Sequence, residues 1–248
     1  MLSFIGPIAD QIQIPRHELE FFFAIISTSE AVAPGCRQPD QVPFSRPMKL
    51  VFGATGASGA IYLQRLLEQA DCTAHEIPLV MSAHARQVAK EELGSLKIPK
   101  SVIQHDENYL NVPFVSGSAR FDAMVIVPCS MATLGRIASG SSDTALLRAA
   151  DVFLKERRKL ILVPRETPWN LIHARNVVTL LEAGAVVLPA IPSFYSRPSS
   201  LIELVDTVVW RVLDQIGLPN PRAYRWASAG QIHGGKQRGV AKTPRKKS

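Results

Sequence analysis

Short apolar runs alternate with helical patterns along the middle of the chain. Five runs are mainly apolar and only four to six residues long, as expected for strands covered on both faces. They occupy residues 49–54, 75–80, 123–127, 159–163 and 185–188. We therefore expect a sheet whose strands lie in the interior.

The segments between these runs repeat apolar residues at helical spacing. The predicted helices cover residues 60–69, 86–93, 131–139, 145–156 and 171–183, and a last helix covers 201–216. Strand and helix in alternation predict an α/β fold: a three-layer, doubly wound, Rossmann-like parallel sheet in a single domain. Ligands of such sheets bind beyond the carboxyl ends of the strands, so strand-to-helix turns are the places to look for function.

The two ends of the chain differ from this middle region. Residues 1–47 show no clear period and end in a proline-rich stretch, and the first strand pattern begins directly at Met48. We treat residues 1–47 as an unassigned N-terminal extension, and one hypothesis is that it is an upstream artefact of the choice of start site. Residues 227–248 are polar and then basic, and we expect them to be a disordered tail.

Charge and cysteine content limit the function classes. The formal net charge is +7, but six cations within residues 230–248, where no acid occurs, account for all but one of these charges. The basic character therefore belongs to the tail, and we expect no nucleic-acid-binding surface on the folded body. No apolar run approaches the ~20 residues of a membrane span, and the first residues do not fit a secretory signal. Three cysteines without zinc or disulfide spacing favour a reducing compartment, so we expect a cytoplasmic protein.

The first strand-to-helix turn reads Gly-Ala-Thr-Gly-Ala-Ser-Gly at residues 53–59. Glycines let the backbone approach a ligand closely, and free N–H groups at a helix start attract an anion. The motif is not GxGxxG, and no acid about 20 residues on ends the second strand, which argues against NAD. By itself the turn indicates a phosphate or nucleotide ligand, or only an ordinary tight turn.

Hydroxyl groups follow the next two predicted strands. Ser82 ends the second, where a helix-capping role is an equally good interpretation. Ser130 and Thr133 follow the third, spaced so that hydroxyls and helix-start amides can meet one anion. Cys129 is best interpreted as a small buried residue, because no partner base is evident nearby. No companions at metal-ligand spacing accompany the histidines, and we expect no metal.

Charged side chains point to a second anion. Arg148 and Lys155 are seven residues apart and share a helix face, although a solvated face would explain them too. Arg165 and Glu166 directly follow a strand, where cations suit a phosphate leaving group and a carboxylate could handle its proton. Tyr195 and Arg211 could complete a phosphate pocket, but each alone fits packing or surface charge equally well.

Taken together, these stretches closely resemble the UbiX-type flavin prenyltransferases, a flavoprotein family. The resemblance covers residues 48–226, which we assign as a flavin prenyltransferase domain. It departs from the family where the usual Asp-Asn reads Asp143-Thr144, and residues 1–47 have no counterpart. The shared sequence motifs are GxTGASGA from Gly53, MS at Met81, PCSMxTL from Pro128, RAADVxLKExR from Arg148, LVPRExP from Leu162, FYxxP from Phe194 and RVLDxxG from Arg211.

The resemblance implies roles for matching positions. The implied FMN-binding set is Gly56, Ala57, Ser58, Ser82, Ser130, Met131, Ala132, Thr133 and Arg148. The implied substrate-binding set is Lys155, Arg165, Tyr195, Arg211 and Trp226. The implied catalytic residues are Glu166, Lys155, Ser58, Glu92 and Arg165, with Glu166 as acid or base toward the phosphate.

The implied reaction joins the dimethylallyl group of dimethylallyl monophosphate to N5 and C6 of reduced FMN without a metal. Its product would serve UbiD-type decarboxylases, and the family's homododecamers place sites at subunit junctions. Three other interpretations stay open. They are a flavin-dependent decarboxylase of the same fold acting on cysteine-containing substrates, a non-catalytic FMN-binding module, and a nucleic-acid binder acting through the tail.

Overall fold

A computed structural model describes residues 46–225, which belong to one compact unit. The predicted tail, Trp226 and all but the last two residues of the predicted extension lie outside the described residues. Six strands form the sheet: β1 Leu50–Ala54, β2 Pro78–Met81, β3 Ile103–His105, β4 Ala123–Cys129, β5 Lys159–Pro164 and β6 Val186–Val187.

Six α-helices connect or follow these strands. They are α1 Ala60–Gln69, α2 Ala83–Leu93, α3 Met131–Ala138, α4 Ala145–Lys155, α5 Leu171–Glu182 and α6 Leu201–Ile216. A single turn of 3₁₀ helix, Pro113–Val115, precedes β4. Among these helices, none has the length and apolar character needed to cross a bilayer.

The strands lie in the order β3-β2-β1-β4-β5-β6, and every neighbouring pair is parallel. The chain moves outward from β1 through β2 to β3 and then returns to the other side of β1 with β4. The strand order therefore reverses between β1 and β4, which opens a crevice at their carboxyl ends.

Helices cover both faces of this sheet and enclose two apolar cores. Side chains of α1, α2 and α6 pack on one face, and those of α3, α4 and α5 pack on the other. All residues of β1 and β4 are buried, which is why they read as uninterrupted apolar runs. The predicted three-layer, doubly wound, single-domain fold is confirmed.

Three elements differ from the prediction. The second strand begins at Pro78, and the residues before it contribute only an isolated bridge between Lys49 and Glu76. The edge strand β3 was missed because it has three residues and its Ile103 is 59% exposed, so it leaves no apolar run. Helix α2 begins three residues early because the Ser82 hydroxyl caps it, accepting a hydrogen bond from Ala85 N at 3.1 Å.

Candidate functional site

A cavity of about 600 Å³ opens in the crevice between β1 and β4, at the carboxyl edge of the sheet. Its volume lies within the ~300–1,000 Å³ typical of small-molecule sites. Its wall comes from the turns that follow the strands and from the helices that begin there. The lining residues are Thr55, Gly56, Ser82, His84, Glu107, Asn108, Ser130, Met131, Ala132, Thr133, Arg136, Thr144, Leu146, Leu147, Glu166 and His173.

The turn after β1 is tied to the turn after β4 through a buried threonine. Thr55 Oγ1 accepts a hydrogen bond from Ser130 N at 2.8 Å, and Thr55 N donates to Pro128 O at 3.0 Å. Gly56 comes so close to α2 that an added Cβ would lie 2.6 Å from His84 Cβ. The glycine therefore lets two walls of the cavity approach each other.

A methyl group at Gly56 is expected to weaken strongly the binding of the FMN that the family resemblance implies. His84 Cβ is fixed by the α2 backbone, so Gly56→Ala must displace the turn at a cost of ~1–3 kcal/mol, as for other overpacked sites. The dissociation constant for FMN is then expected to rise about tenfold to a hundredfold in a fluorescence titration. Gly135→Ala is the matched control, since its Cβ meets only the Asn176 amide tip, at 3.0 Å. Equal affinities of Gly56→Ala and the wild type would contradict this account.

The start of α3 offers hydrogen-bond donors to the cavity. Ser130 caps this helix, its hydroxyl accepting from Thr133 N at 3.2 Å and donating to Thr133 Oγ1 at 3.1 Å. The amides of Met131 and Ala132 have no partner within the helix, because the first N–H groups of any helix lack one. The helix start therefore suits an anionic group, and the structure brings the predicted residues Ser130 to Thr133 together with Gly56 and Ser82.

A carboxylate that no sequence pattern indicates also lines the cavity. Glu107 Oε1 accepts from Ala83 N at 2.9 Å, and Glu107 O accepts from Ala145 N at 2.7 Å, so this residue links the starts of α2 and α4. It follows β3, which was itself missed, so no signal marked it. His84 and His173 line the cavity too, and within residues 46–225 no group of His, Cys, Asp and Glu side chains could hold a metal ion.

A cluster of charges surrounds the start of α1. Arg165 Nε donates to Ser58 O at 3.2 Å, and the Glu92 carboxylate accepts from Gly59 N at 2.9 Å and from Ala60 N at 2.8 Å. Burial acts to raise the pKa of Glu92, but hydrogen bonds from the Ser58 hydroxyl and the two amides, with the charge of Arg165, lower it below its ordinary 4.5. The structure thus places three of the predicted catalytic residues in contact: Ser58, Glu92 and Arg165.

Glu92 is expected to stabilise the fold only above acidic pH. Its pKa is lower in the folded than in the unfolded chain, so its contribution is complete above about pH 4.5 and is lost as pH falls through the folded value. Glu92→Gln should therefore melt earlier than the wild type at pH 7, with the two melting temperatures converging as the pH falls through the lowered folded pKa of Glu92. Glu91→Gln, which alters only a bond to Gln87 on the same helix, is the control. A difference that does not depend on pH would argue against this role.

Glu166 faces the same cavity from the end of β5. Its Oε1 accepts from Thr167 N at 3.0 Å, and its main-chain oxygen accepts from Trp169 Nε1 at 3.1 Å. The side chain is exposed in the single chain. Its carboxylate is therefore held by its own turn and is accessible to a ligand.

Tyr195 and Arg211 meet at a second cavity, of about 520 Å³, beside α6. Thr207 Oγ1 accepts from Ser193 N at 3.0 Å and so ties the loop that carries Tyr195 to this helix. Arg211 Nη1 donates to Asp214 at 3.1 Å, and 62% of the Arg211 side chain is exposed. The structure thus brings these two predicted residues together, but at a different cavity from the FMN set.

Lys155 and Arg148 lie apart from both cavities within the described chain. Lys155 ends α4 four residues before β5, whereas Arg165 directly follows β5. A six-residue strand is roughly 20 Å long, so these two cations lie at opposite edges of the sheet. Arg148 points into solvent and lies 3.7 Å from Asp151. A single chain therefore does not gather the predicted cations at one point.

Cys129 does not supply a nucleophile. Its side chain is fully buried in the core, and burial raises the pKa of the thiol to about 12. The thiol is therefore protonated at neutral pH. The interpretation of Cys129 as a small buried residue is confirmed.

Comparisons with known proteins agree on one kind of protein. Residues 44–213 match the Flavoprotein family. The chain is 44% identical over 186 residues to a flavin prenyltransferase UbiX of Methanocaldococcus jannaschii, an alignment that covers 73% of this chain and all of the relative.

Two solved structures share the fold. One is AnUbiX (PadA1) in complex with FMN and dimethylallyl pyrophosphate: TM-score 0.69, 40% identity, covering 74% of this chain and 99% of the other. The second is a dodecameric FMN-dependent UbiX-like decarboxylase from Escherichia coli O157:H7: TM-score 0.67, 40% identity, covering 73% of this chain and 100% of the other.

Proposed function

The chain belongs to the family of UbiX-type flavin prenyltransferases, and we propose that it joins the dimethylallyl group of dimethylallyl monophosphate to N5 and C6 of reduced FMN. Phosphate is released and prenylated FMN is the product. The observation that carries this proposal is the cavity between β1 and β4, with the cluster of Ser58, Glu92 and Arg165 beside it.

The residues of the cavity fit FMN. The start of α3 and the hydroxyls of Ser130 and Thr133 offer donors to a phosphate, as anion-binding helix starts do. Met131 and Leu146 add apolar surface suited to one face of a flat ring. The glycine turn after β1 leaves room for close approach. One cavity therefore offers hydrogen-bond donors for the phosphate of FMN and apolar surface for its flavin ring.

Reduced FMN supplies the N5 and C6 atoms that receive the dimethylallyl group. The protein's task is to let the carbon–oxygen bond of dimethylallyl phosphate break, so that phosphate leaves with the bonding electrons. Lys155, Arg165 and Arg211 stabilise the negative charge that grows on the phosphate, as a metal does in other prenyl-transfer enzymes. Glu166 exchanges a proton with a phosphate oxygen. Tyr195 orients the phosphate, and Ser58 and Glu92 hold Arg165 and the turn beside the ring.

These roles require more than one copy of the chain. Lys155 lies at the sheet edge opposite to Arg165, and Tyr195 and Arg211 line a separate cavity. Exposed apolar residues, among them Phe194, Tyr195 and Leu201, lie in the loop and helix that carry Tyr195 and Arg211. We propose a homododecamer, the assembly of the E. coli relative, in which neighbouring copies complete each site.

The product defines the partner. Prenylated FMN is a modified flavin with no further use in this reaction, so a second enzyme must receive it. We propose that a UbiD-type decarboxylase is that receiver, which makes the chain a supplier of a cofactor.

An anaerobic assay tests this function. Purified protein is mixed with reduced FMN and dimethylallyl monophosphate, or with the pyrophosphate in a parallel reaction, and the flavin mass and free phosphate are measured. The expected result is a flavin that is heavier by one dimethylallyl group, with one free phosphate released for each adduct. FMN that binds but keeps its mass would instead indicate a non-catalytic flavin-binding module.

A further inference from the structure

The side chain that follows Lys155 holds its ammonium group. Lys155 Nζ lies 2.7 Å from Glu156 Oε1, and half of the Lys155 side chain is exposed. An exposed lysine with four rotatable bonds ordinarily samples many rotamers. Here one of its three N–H donors is engaged, which leaves two for a ligand.

The pair packs against bare backbone at Gly117. A Cβ built at Gly117 would lie 2.9 Å from Lys155 Nζ and closer still to the Glu156 carboxylate. Both atoms are the ends of flexible side chains, so a larger residue at this position would push the pair aside without disturbing the core. Gly117 therefore provides the space in which the Lys155–Glu156 pair sits.

A third side chain, that of Arg158, forms a long ion pair with the same carboxylate. Arg158 donates to Ala119 O at 2.7 Å and to Gly117 O at 2.5 Å, and its Nη2 lies 3.9 Å from Glu156 Oε2. Only 17% of the Arg158 side chain is exposed, so the guanidinium is anchored on this loop. Hydrogen bonding and charge from Lys155, followed by the charge of Arg158, lower the pKa of Glu156, so it is ionised at neutral pH.

The end of α4 produces this arrangement. Arg157 adopts a left-handed conformation with φ of 52°, and Arg158 N then donates to Phe153 O at 2.8 Å. This reversal is a common way to end a helix. It brings Arg158 back over the loop at residues 117–119 while Lys155 stays on the outer surface.

We propose that Glu156 is a positioning residue that holds the Lys155 ammonium outward, ready for the phosphate bound by a neighbouring copy of this chain. The inference rests on the proposed function, in which Lys155 stabilises that phosphate. An ammonium that is already held loses less conformational entropy when the phosphate binds.

A competing effect has the opposite sign. The Glu156 carboxylate also repels the phosphate, although solvent screens this repulsion because both side chains are partly exposed. Substitutions separate the two effects. Glu156→Gln removes the charge but keeps an oxygen that accepts from Lys155 Nζ, whereas Glu156→Ala removes both. If positioning outweighs repulsion, Glu156→Ala binds the phosphate more weakly and Glu156→Gln does not.

The experiment measures the KM for dimethylallyl monophosphate with saturating reduced FMN, on the full chain. Glu156→Ala and Gly117→Ala are expected to raise this KM about fivefold, the upper size of an exposed ion pair's contribution. Glu156→Gln is expected to stay within about twofold of the wild type. The dissociation constant for FMN and the assembly size should be unchanged in all three. In a Lys155→Ala background, adding Glu156→Ala should not raise the KM any further, because only the repulsion of the phosphate by Glu156 is left to remove.

The Lys49–Glu76 pair provides a matched control. Its ion pair is also 2.7 Å long and its side chains are 51% and 44% exposed, so Glu76→Ala should leave the KM at the wild-type value. An active wild type whose KM is not raised by Glu156→Ala overturns this inference alone, as does a rise in KM on Glu156→Ala that persists in the Lys155→Ala background. A wild type that forms no prenylated flavin overturns the proposed function and this inference with it.

Discussion

Chains carrying Lys155→Ala and chains carrying Arg165→Ala are each expected to lose about 10²- to 10³-fold in prenyl transfer, the usual effect of removing one donor to a developing negative charge. Assembled together, they are expected to recover activity. The two residues lie at opposite edges of the sheet, at either end of the six-residue strand β5. If a site takes Lys155 from one copy and Arg165 from another, a mixed assembly contains some sites in which both residues are intact.

The fraction of wild-type activity that the mixed assembly recovers can be calculated. With equal amounts of the two variants assembling at random, half of the sites receive an intact Lys155 and half of those an intact Arg165, so about a quarter of wild-type activity returns. Co-expression with two different tags and tandem purification gives the mixed assembly, whose activity is compared with those of the parents.

The control pairs Arg165→Ala with Glu166→Gln. These residues are consecutive and reach a site together from one chain, so their mixture should stay inactive. Recovery in this control, or no recovery with Lys155→Ala and Arg165→Ala, would mean that the sites are not shared in the proposed way.

The sequence predicts those parts of the fold that are buried on both sides. Each residue of β1 and β4 is buried, and such strands are recognisable in the sequence as apolar runs. Strand β3 is not predicted because it lies at the sheet edge, where two of its three residues are exposed. Glu107 follows this strand, so no strand pattern marks it as part of the site.

The site is predictable where function depends on backbone shape, and not where it depends on which chain contributes a side chain. Glycines and hydroxyls at strand ends mark the cavity, because the topology brings these ends together. The spacing of Arg148 and Lys155 correctly indicates one helix face, but spacing cannot tell whether that face meets the cavity of its own chain. Lys155 precedes β5, whereas the cavity lies at the other end of this strand, so Lys155 does not reach the cavity of its own chain.

Glu166→Gln is expected to lower the rate of prenyl transfer by about 10²- to 10⁴-fold, the range for loss of a general acid or base. FMN is expected to remain bound, because the wall of the cavity is otherwise unchanged and the amide can still accept the Thr167 N–H bond that holds the carboxylate at 3.0 Å. The measurement is a single turnover under anaerobic conditions, followed by flavin mass, beside an FMN titration.

The pairing of these two readouts decides what Glu166 does. A carboxylate that only shapes the turn would be replaced by glutamine with little change in rate, because the shape and the acceptor oxygen are kept. A carboxylate that exchanges a proton with the phosphate cannot be replaced, because an amide does not ionise near neutral pH. Glu182→Gln, at the exposed end of α5, controls for a general loss of negative charge. Normal turnover of Glu166→Gln would thus contradict a role of Glu166 in proton transfer, but it would not contradict the assignment of the cavity as the flavin site.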